Sequence, residues 1–397
     1  VTRDFRWLLV GQTTSQFGAQ VSGVAIPLLA VLSLGATPFQ LGLVSAAGTI
    51  GFALIGLPAG AWVDRWRRRP VLVASDLARA VLLASIPVAA VLGVLTITQL
   101  IVVSLLTGLA RVFFDVGYQT YLPAVVGPDR LLAGNSALET IRASGQVAGP
   151  GLGGWLVTVL GAANVVLIQA VTFAVSAASL LAIKAREDVV RRIDRGLWSE
   201  IREGLVYVAR HRAIRAIAVT SAVNNFAFAI ASAVSVLFLV RTLRLTPALI
   251  GVVLAVGSVA AMAGAALTPR LARRFGAERI IWLSLAVTGP LGLLGPLAQP
   301  GWLVVLMVIG TAVGEFGQIV YAISNVTLRQ RVVPDHLLGR VNATMRFLLM
   351  GLFPLGALLG GTLGTVLGLR LTLFVSGALI LVSWLPVYFV RSALDRA

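Results

Sequence analysis

Apolar residues run through this chain in long blocks, broken at short intervals by Gly, Pro and clusters of Arg. The blocks are longer and more uniformly apolar than the helices of a soluble protein. About 20 such residues cross the hydrocarbon core of a bilayer. Twelve blocks reach that length, near 7–33, 40–63, 71–95, 98–122, 133–160, 163–183, 214–240, 247–271, 279–298, 301–326, 337–366 and 370–390. The pattern predicts an all-α membrane protein with twelve transmembrane helices in two six-helix bundles. Polar sequence persists only between 184 and 213. There Leu197, Trp198, Ile201, Leu205 and Val208 recur at helical spacing, with Glu200, Arg202, Glu203 and Arg210 on other faces. This reads as an amphipathic helix on the cytoplasmic surface, or as a linker that merely crosses the gap. The expected domains are 1–183, a linker at 184–213, and 214–397.

The two halves repeat. Thr37-Pro38, Gly42 and Asp64-Arg65 recur as Thr246-Pro247, Gly251 and Arg273-Arg274, all at an offset of 209 residues. Later in each half, Pro128-Asp129 resembles Pro334-Asp335, and Arg142 and Arg346 each precede a proline by eight residues. Six spans precede the second copy, so both copies start on the same side. This is a parallel repeat, of the kind from which many transporters are built.

Composition agrees. The 397 residues are 58% hydrophobic and 12% charged, where a soluble domain carries about 25% charge. The net charge of +17 raises the question of nucleic acid, and its placement answers it. With the N-terminus in the cytoplasm, 25 of the 32 basic residues fall on cytoplasmic segments. Only Arg241, Arg244 and Arg370 fall in external loops, and Arg79, Arg111, Arg142 and Arg346 lie within spans. This is the positive-inside pattern. It places both termini in the cytoplasm and suits membrane lipids with anionic headgroups rather than nucleic acid. The chain has no cysteine, and His211 and His336 both fall in loops. Neither a metal centre, a thiol nucleophile nor a cofactor is expected, and no catalytic constellation suggests an enzyme. The first apolar block is too long for a cleavable signal.

Three motifs carry more. Gly60-Ala-Trp-Val-Asp64-Arg65-Trp-Arg67-Arg68-Arg69 joins spans 2 and 3. It resembles motif A of the major facilitator superfamily, G-x-L-A-D-R-x-G-R-R. Gly60, Asp64, Arg65, Arg68 and Arg69 stand at matching positions, while Arg67 stands where the family has Gly. Span 5 carries Gly145, Gly149-Pro150 and Gly153-Gly154, which resemble motif C of drug–proton antiporters, with Ser136 in place of its first glycine. Gly149, Gly151 and Gly154 also spell G-x-G-x-x-G, but no strand precedes them and no nucleotide site follows. Arg111 stands roughly where motif B has its arginine. Together with Phe114-Asp115, Tyr118, Tyr121-Leu-Pro123 and the Arg346…Gly360-Gly361 run, the chain is similar to the bacterial transmembrane secretion effectors, exporters of macrolides and siderophores. The resemblance covers essentially the whole chain. It implies the major facilitator fold, a gate at the motif A loop, and outward proton antiport with alternating access. It also implies a monomer in the bacterial inner membrane.

Charges inside spans need a reason, since each costs about 2.5–3.5 kcal/mol at a helix centre. Arg111 and Asp115 are one turn apart on span 4, and Glu139 and Arg142 are three apart on span 5. The four are expected to form one network, either neutralising one another or relaying protons. Glu315 in span 10 has no basic residue within a turn and is the leading candidate for proton coupling. It alternatively pairs with Arg111 or Arg346 from another span. Polar and aromatic residues on the spans that line the cavity in this superfamily are candidates for substrate contact: Gln16, Gln20, Phe114, Tyr118, Asn224, Asn225 and Tyr321. The expected substrate is a hydrophobic or amphipathic small molecule exchanged for protons. Facilitated movement of a lipid-like metabolite and a non-transporting membrane sensor are the alternatives.

Overall fold

A computed structural model describes residues 3–127, 131–184, 197–276 and 278–390. Among the described residues the regular elements are all helices. In order the helices are α1 (Arg3–Leu32), α2 (Pro38–Arg65), α3 (Arg68–Val91), α4 (Ile97–Val126), α5 (Leu131–Leu160) and α6 (Ala162–Ala182). They continue with α7 (Leu197–Arg210), α8 (Arg212–Leu237), α9 (Pro247–Phe275), α10 (Arg279–Gly292), α11 (Leu294–Leu297), α12 (Val304–Val332), α13 (Asp335–Val366), α14 (Leu369–Ser383) and α15 (Leu385–Phe389). In lipid every backbone polar group must be satisfied internally, and helices achieve this span by span. Among the described residues, eleven helical segments are long and apolar enough to cross a membrane. The twelfth expected span is α5, which has the length at 30 residues. Its glycines, proline and polar residues dilute its hydropathy.

The repeated Thr-Pro marks a helix start in each half. The Thr37 hydroxyl accepts from Gln40 N–H at 3.2 Å and the Gln40 side chain accepts from Thr37 N–H at 2.9 Å, a complete capping box. Thr246 caps α9 by accepting from Leu249 N–H at 3.4 Å. Proline follows each cap because its missing N–H is not needed in the first turn.

The chain divides into two compact units, Val1–Arg192 with Leu245–Ala255, and Ile193–Arg244 with Val256–Ala397. Their internal packing repeats. In the first, α1 packs on α5 and α6, and α3 on α4 and α6. In the second, α8 packs on α13 and α14, and α10 on α12 and α14. Each has an apolar core: Leu8, Leu72, Tyr121 and Leu180 in the first, Ile217, Ile281, Leu328 and Val341 in the second. Between lipid-immersed helices this packing is driven by close contact rather than by escape from water.

The linker helix α7 docks on the second unit. Gly204 lies against Arg340 and Thr344 of α13, Glu203 and Arg340 pair at 2.6 Å, and Val208 is buried in the core. Residues 185–196 of the predicted linker lie outside the described residues.

Candidate functional site

The loop resembling motif A begins where α2 ends at Arg65, and α3 starts at Arg68. Arg69 fastens this loop to the end of α6. Its Nε donates to the Leu180 carbonyl at 2.9 Å, and its guanidinium also donates to the Leu181 carbonyl. Carbonyls at a helix C-terminus lack intrahelical partners and carry partial negative charge, so an arginine there is doubly favoured. Arg68 is also engaged within the protein. Trp62 and Trp66 both stack on Phe113, with centroids 6.1 and 6.4 Å apart. Gly60, Asp64 and Arg65 fall in the last turns of α2; their side-chain surroundings lie outside the described residues.

The glycines of span 5 are contact points, and not equal ones. A Cβ at Gly153 would sit 2.5 Å from the Val21 carbonyl oxygen of α1, and one at Gly149 would sit 3.2 Å from the Gln20 backbone. At Gly145 the nearest atom would be Gln20 Cγ at 3.6 Å, an ordinary contact. Gly154 meets the first turns of α9 within the same unit, where a Cβ would lie 2.7 Å from Gly251 Cα. Pro150 sits between these contacts, with its carbonyl against Gly251. Gln16 and Gln20 are therefore the α1 surface against which α5 is seated.

The four charges expected to form one network stand as two separate intrahelical pairs. Arg111 and Asp115 approach to 3.5 Å. Arg142 Nε donates to Glu139 at 2.9 Å. Among the described residues no hydrogen bond or ion pair joins one pair to the other. The second pair is open and the first partly so: the Glu139 side chain is 62% exposed and Arg111 63%, while Asp115 is half-buried. At i,i+3 and i,i+4 spacing each acid is nearest the base on its own helix.

The pair that is buried was not predicted. Asp76 and Arg79 of α3 form an ion pair with side-chain exposures of 0% and 8%. The Arg79 guanidinium lies between two rings, 4.4 Å from Phe114 of α4 and 4.2 Å from Phe173 of α6. Delocalised and weakly hydrated, guanidinium suits such an aromatic sandwich. Arg111 and Asp115 lie within its electrostatic reach. The available signal was the i,i+3 spacing of an acid and a base in an apolar span.

Phe114 is thereby spoken for. It is buried, stacked on Tyr118 at 5.9 Å and on Arg79, so it packs the bundle instead of lining a cavity. Asn224 and Tyr321 are corrected in the same way. Asn224 is buried and donates to Gln318 at 2.8 Å; Tyr321 is buried with its hydroxyl 2.6 Å from that of Ser221. Asn325 donates to both hydroxyls, at 2.9 and 3.2 Å. These side chains join α8 to α12 inside the second unit. Asn225 bonds back to the Ser221 carbonyl at 3.0 Å. The Tyr118 hydroxyl has no hydrogen-bond partner among the described residues.

Glu315 lies on α12 against α9. A Cβ at Gly257 would be 3.3 Å from its Cγ, so glycine at 257 makes room for the carboxylate. Half-buried, Glu315 forms no hydrogen bond or ion pair with any described residue. The described residues contain no group of His, Cys, Asp and Glu suited to a metal.

Comparison with known proteins places this arrangement. The Major Facilitator Superfamily model matches residues 8–354. Multidrug efflux pump Tap of Mycolicibacterium fortuitum is 30% identical over 403 residues, covering 97% of this chain and 95% of that one. A bacterial homologue of the iron transporter ferroportin superposes with a TM-score of 0.79 at 19% identity, covering 98% of this chain and 99% of that one. Nucleoside transporter NupG superposes with a TM-score of 0.75 at 14% identity over the full length of both. These structures share the fold. The repeated bundles, the glycine-seated α5 and the family match together make the chain a multi-pass membrane transporter that belongs to the Major Facilitator Superfamily.

Proposed function

We propose that this transporter exports a hydrophobic or amphipathic small molecule across the bacterial plasma membrane in exchange for protons, as a monomer with both termini in the cytoplasm. The observation that carries the coupling is Glu315: a carboxylate inside a span, given room by Gly257 and without a cationic partner among the described residues. Such a group is neutral when dry and ionised when wet, so its charge follows its access to water. Half-buried Asp115 and exposed Glu139, each held by an arginine on its own helix, are second-rank candidates. Export and breadth of substrate are supported by the multidrug efflux relative and by the glycines resembling motif C. The basic loops support the orientation.

The test uses everted membrane vesicles, a lipophilic cationic dye and an imposed proton gradient. Wild-type vesicles are expected to accumulate the dye and to lose it when a protonophore is added. Glu315→Gln is expected to lower gradient-driven accumulation at least about tenfold, equivalent to about 1.4 kcal/mol, at unchanged protein level. Dye accumulation indifferent to the protonophore would end the antiport reading and favour a facilitator of lipid-like molecules. Unchanged transport by Glu315→Gln would remove that residue from the mechanism.

A further inference from the structure

A groove of about 760 Å³ opens beside the motif A-like loop and involves none of the residues used above for coupling. Trp66 and Arg67 stand at its mouth; Ala74 and Ala78 of α3 and Ala110 and Phe113 of α4 line its length. The small side chains leave the trough, and Phe113 forms a wall that Trp62 and Trp66 brace. The surface beside it is apolar and open: Leu77 and Val81 of α3 are 46% and 70% exposed. In a transmembrane helix such a face meets acyl chains.

The mouth is charged. Arg68 and Arg69 are both engaged within the protein, whereas exposed Arg67 forms no hydrogen bond or ion pair with any described residue. With Trp62 and Val63 it is also one of the residues at which this chain departs from the motif it resembles, and glycine there would leave the groove without this cation. From Arg67 to Ala78 the helix rises about 16 Å, close to the ~15 Å hydrocarbon depth of one leaflet. The indole of Trp66 at the same level belongs at a membrane interface.

We propose that this groove binds one anionic glycerophospholipid, with its phosphate on Arg67 and one acyl chain laid between α3 and α4. The site is independent of the transported substrate and of the coupling ion. The bound lipid would hold the loop that joins α2 to α3, so lipid composition would reach the part of the molecule that the motif resemblance marks as a gate.

Native mass spectrometry of the purified full-length chain, titrated in detergent with palmitoyl-oleoyl phosphatidylglycerol or phosphatidylcholine, tests this directly. Wild type is expected to retain one phosphatidylglycerol in preference to phosphatidylcholine. Arg67→Gly is expected to weaken that retention about fivefold, the equivalent of the ~1 kcal/mol one juxtamembrane arginine contributes; Arg67→Lys should keep most of it. Ala74→Trp, which fills an open trough without touching the core, should displace the lipid with Arg67 intact. Equal retention of the two lipids by wild type, or phosphatidylglycerol retention unchanged in Arg67→Gly or in Ala74→Trp, would overturn the proposal.

Discussion

Asp76→Asn is expected to destabilise the first unit by about 3–5 kcal/mol, the usual cost of stranding one member of a buried ion pair. The geometry explains the size. Arg79 is sealed between Phe114 and Phe173, and arginine does not escape by losing its proton. With Asp76 replaced, the guanidinium retains ring contacts and, as nearby carboxylate, Asp115, which is already paired with Arg111. Arg79→Gln should cost a similar amount by leaving a carboxylate that is 0% exposed. Replacing both, as Asp76→Leu with Arg79→Met, should restore most of the loss, because two apolar side chains need no partner. The chain has eight tryptophans and no cysteine, so intrinsic fluorescence during heating in detergent is the natural readout. A midpoint in Asp76→Asn equal to that of wild type would mean that another group neutralises Arg79. A double variant worse than either single would mean that the pair does more than cancel itself.

Gly153→Val is expected to reduce transport more than tenfold and to lower the melting midpoint, while Gly145→Ala should be close to neutral. Both glycines belong to the same sequence motif. The difference is what each would touch. A Cβ at 153 meets the Val21 carbonyl oxygen of the α1 backbone at 2.5 Å, and backbone cannot turn aside; at 145 it meets the flexible Gln20 side chain at 3.6 Å. A branched side chain at 153 must push α5 off α1. Helix propensity does not confuse the result, since any residue other than proline improves on glycine within a helix. Gly23→Ala, on α1 with nothing within 4 Å of its added Cβ, is the matched control. Equal losses at 145 and 153 would show that the motif acts through backbone flexibility and not through contact. Transport by Gly153→Val at the wild-type rate would show that α5 need not sit this close.

Much of the architecture was legible because lipid leaves the backbone few options. Long apolar blocks must be helices, and the Thr-Pro that opens α2 and α9 names its own role as cap and first-turn residue. The repeat follows from both. Span 5 is the instructive boundary case: its glycines and Pro150 carry the contact surface, and for the same reason its hydropathy falls short of its neighbours'. Among site residues, the isolation of Glu315 was readable from α12 alone, and among the described residues no hydrogen bond or ion pair reaches it. The predicted network of Arg111, Asp115, Glu139 and Arg142 was not right, because short intrahelical spacing satisfied each charge locally.

The sequence by itself determined the spans, the parallel repeat, the asymmetry of basic loops and the family, since each depends on composition or on spacing along one helix. Tertiary structure decided which face of each helix is inside. Asp76–Arg79 and Glu139–Arg142 have the same i,i+3 spacing and the same charges. One pair is sealed against α4 and α6 while the other is largely open. Asn224 and Tyr321 have the polarity of cavity residues, yet they spend it joining α8 to α12. Arg69 in the first turn of α3 finds the carbonyls ending α6, while Arg67, two residues earlier, lines the open groove. Spacing along a helix is local and written in the chain; which neighbour a face meets is set by the packing of helices distant in sequence.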